Sequence, residues 1–287
     1  MDQMPGSEPP LGEAQYSKAH QFLYLIWRRM FALDLAGKNA LVLGVANQRS
    51  IAWGIAKILS QAGARIVLTY QNERLKEPVE RLATDLPGSI LIPCDVSDDQ
   101  QLSQAFRTID EKVGSLSIVV HSIAFADRED LGGPFSNLGR SGFRTALEIS
   151  AYSLIPIVRH AALRMCDEGG NVLAMSFQAA NQVFPGYNVM GVAKAALENT
   201  VRQLASEYGP RNIRVNAISA GPLDTLSSRV ISDYRVMKRA HLDRSPLKRN
   251  ITQDDVARTA LYLCSDLSSG VTGAVLPVDA GYSIMGV

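Results

Sequence analysis

The chain has 287 residues, 46% of them hydrophobic, and a formal net charge of +1. That length buries a sizeable core in one large α/β domain or in two smaller ones. The near-neutral balance carries neither the basic field of a nucleic-acid binder nor the acidic excess of a solvating disordered chain.

In chain order, Met1 to Glu13 is rich in Pro, Gly and acidic residues and reads as disordered. Phe22-Leu-Tyr-Leu-Ile-Trp27 is an apolar run followed by Arg28-Arg29. It is too short to span a bilayer and lacks the basic start and small-residue cleavage site of a secretory signal. Three readings of residues 1–33 stand: an amphipathic extension, sequence upstream of a start at Met30, or a weak membrane-surface contact. No stable membrane insertion is expected.

From Asp34 onward, strand and helix signals alternate. Strands are expected at 39–44, 65–70, 90–93, 116–121, 171–176, 213–219 and 274–278. Helices are expected at 50–61, 73–86, 99–113, 141–165, 187–208 and 254–264. The strands are continuously apolar, as when helices cover both faces of a sheet. Repeated β-α-β units predict one domain at 34–287, a Rossmann-type, doubly wound parallel sheet with helices on both faces. Its ligand is expected beyond the C-terminal strand ends, at the switch point in strand order.

The turns after those strands carry the chemistry. Gly44-Val-Ala-Asn-Gln-Arg-Ser50-Ile-Ala-Trp-Gly54 is longer than G-x-G-x-x-G. Gly44 suits a tight turn, Ser50 suits an N-cap facing a pyrophosphate, and Gly54 suits close helix–strand packing. An ordinary glycine turn before a helix reads equally well. Gln71 ends the second strand where an Asp or Glu would hold a ribose diol and an Arg a 2′-phosphate; Arg74 follows on the next helix. Asp95 is either an adenine contact or an N-cap. His121 follows a buried strand and reads as structural or cofactor-lining. Gly221-Pro222 breaks the sixth strand before Thr225, which can meet a phosphate. Residues 226–242 have no place in the alternation and are expected to form a lid. The three cysteines (Cys94, Cys166, Cys264) and four histidines (His20, His121, His160, His241) are scattered. No metal site is expected, and the compartment is expected to be reducing, the cytoplasm.

The most telling pair is Tyr187 and Lys194, separated by six residues. Met190 stands four before Lys194, so a Tyr-x3-Lys arrangement on one helical face is absent and Tyr187 is expected in the loop or first turn. A phenol can donate to an oxyanion; a lysine can hold sugar hydroxyls beside it.

Together with Cys94-Asp95-Val96, His121-Ser-Ile-Ala-Phe-Ala126, Arg214-Val-Asn-Ala-Ile-Ser-Ala-Gly-Pro222 and Leu263-Cys-Ser-Asp-Leu267, these marks resemble the short-chain dehydrogenase/reductase superfamily. Within it they resemble the enoyl-acyl-carrier-protein reductases of bacterial type II fatty acid synthesis, from about Leu35 to Met285. The resemblance implies NADH (NADPH possible) as cofactor, enoyl-acyl carrier protein as substrate partner and a homotetramer. It implies Tyr187 and Lys194 as catalytic. It puts Phe177, Ala124, Met190, Tyr234 and Met237 along the substrate. The cofactor would meet Gly44, Ser50, Ile51, Gln71, Asp95, Val96, Ser122, Ile123, Lys194, Leu223 and Thr225. Two departures stand out. Phe177 occupies the place of a second tyrosine, and Asp224 that of an arginine, putting a carboxylate near the expected pyrophosphate. Ser176, beside Phe177, is expected to point to the other face. Two alternatives remain: a carbonyl or alcohol oxidoreductase, and a dinucleotide-binding homologue of weak activity. Arg229, Arg235, Lys238, Arg239, Arg244, Lys248 and Arg249 read either as solvated surface or as a dock for an acidic carrier protein.

Overall fold

The computed structural model describes residues 33–165, 168–226, 228 and 234–286. The expected extension at 1–33 and part of the expected lid, residues 227 and 229–233, lie outside them, apart from Leu33. Cys166 also lies outside them.

Seven strands, β1 (Asn39–Leu43), β2 (Arg65–Tyr70), β3 (Ile90–Pro93), β4 (Ile118–His121), β5 (Gly170–Ser176), β6 (Ile213–Ala220) and β7 (Val275–Val278), form one parallel sheet in the order β3-β2-β1-β4-β5-β6-β7. The order reverses between β1 and β4, which fixes the switch point above their C-terminal ends. Alternate residues of each strand enter two cores. Ala40, Val42, Ile66 and Leu68 pack beneath helices α1 (Ile51–Gln61), α2 (Glu73–Ala83) and α8 (Gln253–Leu263). Leu41, Leu43, Val67 and Val119 pack beneath α3 (Asp99–Lys112), α5 (Leu154–Ala162) and α6 (Asn188–Tyr208). Burial on both faces explains why the strands read as mainly apolar rather than alternating.

The helix expected at 141–165 is broken. It consists of α4 (Arg140–Leu147), a π turn over Glu148–Tyr152, and α5. Pro156 has no N–H to give Tyr152 O, and Ser153 N reaches back five residues to Glu148 O at 3.0 Å. The wider turn aims two serines at the end of β4. Ser150 Oγ accepts from Phe125 N (2.9 Å) and donates to Phe125 O (3.1 Å). Ser153 Oγ gives its proton to Ile149 O (2.7 Å), so His121 Nε2, 2.8 Å away, must be the donor to Ser153. His121 is fully buried, and burial, with repulsion from Lys194, pushes its pKa down to about 3. It is a neutral structural histidine.

Two of the sequence marks are structural as well. Arg214 is buried and donates to Val271 O, Leu263 O and Ser265 O, while Asn216 donates to Val271 O and accepts from Ala274 N. They tie β6 to the segment between the end of α8 and β7. At the start of α8, Thr252 and Asp255 form a capping box, a device worth about 0.5–2 kcal/mol. Among the described residues no helix is long and apolar enough to cross a membrane.

Candidate active site

At the C-terminal end of β1, Gly44 has φ +100°, and a Cβ there would lie 2.0 Å from Ser122 O on the strand-end of β4. Only glycine fits this approach. Ser50 sits at the N-cap position of α1, but its side chain does not cap the helix. Instead Ser50 Oγ accepts from Ala46 N (3.0 Å) and Asn47 N (3.1 Å), folding the loop back on itself. Its hydroxyl proton remains available to a ligand. Gly54 also differs from expectation. A Cβ there would meet Gln253 Cγ at 2.5 Å, so the glycine admits α8, not a strand. Gln253 Nε2 in turn donates to Gln48 O and Ser50 O, latching α8 to the loop.

At the ends of β2 and β3, Gln71 Nε2 donates to Asp95 Oδ2 at 3.0 Å. Asp95 is not the N-cap of the next helix; Asp98 is, accepting from Gln100 N and Gln101 N. Burial pushes the Asp95 carboxyl up, but hydrogen bonds from Ser97 and Gln71 outweigh it and hold the group below its ordinary value. Ile51, Val96, Ile123 and Leu223 are partly buried and line the two cores near these strand ends. Ser122 N donates to Leu43 O at 3.2 Å, which fixes the backbone beside Gly44.

Tyr187 stands immediately before α6, at its N-cap position, with φ −122°. Its ring meets the edge of Phe177 (centroids 5.1 Å apart, 66°), and Phe177 meets Phe184 at 4.9 Å. Tyr187 joins Ala124, Leu131, Leu147, Met190 and Ala193 in a small apolar cluster. Burial, with the Tyr234 phenol adding to it, raises the Tyr187 hydroxyl above its ordinary value. It is therefore a protonated donor at neutral pH.

Two turns into α6, Lys194 is buried and its Nζ donates to Met175 O at 2.7 Å. Two ammonium protons remain for a ligand. Burial lowers its pKa to about 8, against the pull of Glu198. Glu198 escaped the sequence reading, although its spacing of four from Lys194 carried the signal. It is buried and accepts from Ser176 Oγ at 2.7 Å. That bond is where the Ser176 hydroxyl goes.

After β6, Thr225 and Ser228 bond one another: Ser228 Oγ accepts from Thr225 N and Thr225 Oγ1 from Ser228 N. Helix α7 (Tyr234–Arg244) runs two residues beyond the expected lid. His241, stacked on Tyr282 at 4.8 Å, anchors it against the C-terminal turn. Lys238 pairs with Asp224. Tyr234 acts on the Tyr187 phenol electrostatically, whereas Met237 joins none of the apolar clusters of the described residues. The basic cluster is largely spoken for. Besides Lys238, Arg239 pairs with Asp243, Lys248 donates to Asp243 O, and Arg249 grips Asp255 with two nitrogens. Of the seven, Arg235, Arg244 and Lys248 are exposed without an ion pair among the described residues, and Arg229 lies outside them.

The model of the family described as "Enoyl-(Acyl carrier protein) reductase" matches residues 44–283. The chain belongs to the enoyl-acyl-carrier-protein reductase family. This reductase is 49% identical to a Bacillus cereus protein named as an NADH enoyl-acyl-carrier-protein reductase, over 88% of this chain and 99% of the relative. It is 47% identical to a Staphylococcus aureus protein named as the NADPH form, over 87% of this chain and 98% of that one. The Bacillus cereus reductase solved with NADP+ and an indole naphthyridinone has a TM-score of 0.86 to it at 49% identity, covering 88% and 99% of the two chains.

Proposed function

We propose that this reductase reduces the trans-2 double bond of enoyl thioesters carried on acyl carrier protein, using NADH. The observation that carries the reading is that the Tyr187 phenol, packed on Phe177, and the buried Lys194 ammonium, bonded to Met175 O, both stand at the C-terminal end of β5. The residues present fit a dinucleotide. Gly44 lets the ends of β1 and β4 close on one another at the switch point, Ser50 keeps a free hydroxyl proton there, and Lys194 keeps two free donors. Asp95, tied to Gln71, sets a carboxylate rather than a cation near the expected adenosine ribose, and Arg74 is exposed on α2. This favours NADH over its 2′-phosphorylated form.

The bound nicotinamide supplies hydride to the β-carbon. The π electrons then move to the thioester oxygen, where Tyr187 donates a hydrogen bond to the developing negative charge. Lys194 holds ribose hydroxyls and adds positive charge beside the phenol. Phe177 fixes the Tyr187 ring without contributing a hydroxyl, and Ala124 and Met190 give the acyl chain an apolar wall. The α-carbon takes its proton afterwards from solvent.

Residues 34–287 form the catalytic domain in this reading. The assembly is a homotetramer, using the face of α4 and the π turn, where Phe143, Leu147 and Tyr152 border an open groove of about 420 Å³ with Phe143 and Tyr152 exposed. A light-scattering mass of one chain at micromolar concentration would refute that assembly. For the activity, NADH and crotonyl thioester should give butyryl thioester and oxidised cofactor one for one; recovery of unchanged crotonyl thioester would exclude the reading.

A further inference from the structure

Tyr234 opens α7, and its Oη is shielded from solvent yet has no hydrogen-bond partner among the described residues. A buried hydroxyl without a partner costs free energy, so such a group in a binding cleft is a candidate for a ligand's acceptor. Its surroundings place it. Lys238, one turn further along α7 and on the same face, pairs with Asp224 in the loop after β6. Tyr234 therefore faces that loop too. The Ser228 hydroxyl acts on it from there, but Ser228 already gives its own proton to Thr225 O. The strands before this loop and before Tyr187 are β6 and β5, hydrogen-bonded neighbours in register from Gly170 and Ile213 to Ser176 and Ser219. Both phenols thus stand at one edge of the sheet. Each raises itself by burial, and the Tyr234 phenol further raises that of Tyr187. The ring packed on Tyr187, Phe177, offers no hydroxyl.

We propose that Tyr234 is a second hydroxyl donor to the substrate's thioester oxygen, presented by helix α7 opposite Tyr187. The inference rests on the enoyl-thioester reading above. A carbonyl oxygen accepts two hydrogen bonds and gains negative charge as hydride adds to the β-carbon, so a second donor stabilises the same charge. With its pKa pushed up to about 12, chiefly by burial, Tyr234 keeps its proton at neutral pH.

The test uses the full chain with NADH and crotonyl thioester. Tyr234→Phe should lower kcat/KM about a hundredfold, the lower end of losing one oxyanion donor. The Kd for NADH and the melting temperature should not move. Affinity for the unreactive butyryl thioester, read by fluorescence quenching, should weaken. Adding Phe177→Tyr to Tyr234→Phe should recover part of the rate by returning a hydroxyl to the site from the other side. A Tyr234→Phe variant with wild-type kcat/KM, or one whose loss appears equally in the Kd for NADH, overturns the proposal while leaving the enoyl reading intact. A wild-type protein that reduces no enoyl thioester overturns both.

Discussion

Asp224 and Lys238 form an ion pair between the loop after β6 and helix α7. From the sequence, the Asp224 carboxylate looked like a charge set against the cofactor's pyrophosphate. The fold supplies the counter-charge from fourteen residues away. Lys238 is the more sheltered partner, with its side chain 29% exposed against 65% for Asp224.

Removing Lys238 should therefore uncover the carboxylate. Lys238→Ala is expected to raise the KM for NADH several-fold, and Asp224→Ala in the same chain to reverse most of that rise. The penalty should shrink as salt is added, because exposed charge is screened within about 10 Å at 0.1 M. A rise that survives both the second substitution and salt would mean that α7 had been displaced instead.

The Lys194 ammonium sets a pH limit. Its pKa is lowered to about 8 by burial, with Glu198 opposing the shift. NADH affinity should fall as pH rises through about 8 and the ammonium loses its proton. Glu198→Gln should move that inflection to lower pH. Stability should run the other way. Between about 8 and 10.5 the unfolded chain keeps a proton that the folded one has lost, so this group makes the fold more stable as pH rises across that window. Lys194→Met should remove the rise and increase Tm at pH 7, by roughly 2–4 °C per kcal/mol relieved, while abolishing useful NADH binding. Thermal melts at pH 7 and 9.5 or so, with and without NADH, check both directions.

Tyr187→Phe should lower kcat for the enoyl thioester by about 10²–10³ and leave the Kd for NADH in place, since it removes an oxyanion donor and no cofactor contact. Stopped-flow hydride transfer read from nicotinamide absorbance measures the first quantity; quenching of protein fluorescence measures the second. An unaltered rate would remove Tyr187 from the mechanism.

Gly54 and Gln253 should be coupled. Gly54→Ala forces a methyl to within 2.5 Å of Gln253 Cγ, prying α1 from α8 and straining the loop that Gln253 latches. Overpacking of this kind costs typically about 1–3 kcal/mol. Adding Gln253→Ala should give most of it back, although the carbonyls of Gln48 and Ser50 then lose their donor and the KM for NADH rises. Denaturation midpoints of the four chains in the cycle test this; simple additivity would show that the contact is not felt.

Much of this architecture was legible in the sequence. Apolar runs such as Ile66 to Leu68 and Ile118 to Val120 marked the strands, because burial on both faces favours that pattern. The positions of Gly44, Gln71 and Asp95 just beyond strand ends, and of Tyr187 at the start of the long helix, were legible because β-α-β order fixes where such turns fall. The π turn was not, since Glu148 to Tyr152 keeps helical composition and the extra residue shows only in the bond from Ser153 N to Glu148 O. Ser50 misled for a related reason: a serine before a helix scores as a cap whether its hydroxyl turns forward to the helix or back to Ala46 N. The pairs Asp224–Lys238 and Ser50–Gln253 depend on how distant elements pack, which no local pattern encodes.

The most direct measurement compares kcat/KM for crotonyl and acetoacetyl thioesters on the same carrier, with NADH as hydride donor. A phenol without a Tyr-x3-Lys partner, poised over an apolar wall, should favour the conjugated double bond by orders of magnitude. Rapid oxidation of NADH with crotonyl thioester and none above background with acetoacetyl thioester is the expected result; reduction of the ketone alone would contradict the account.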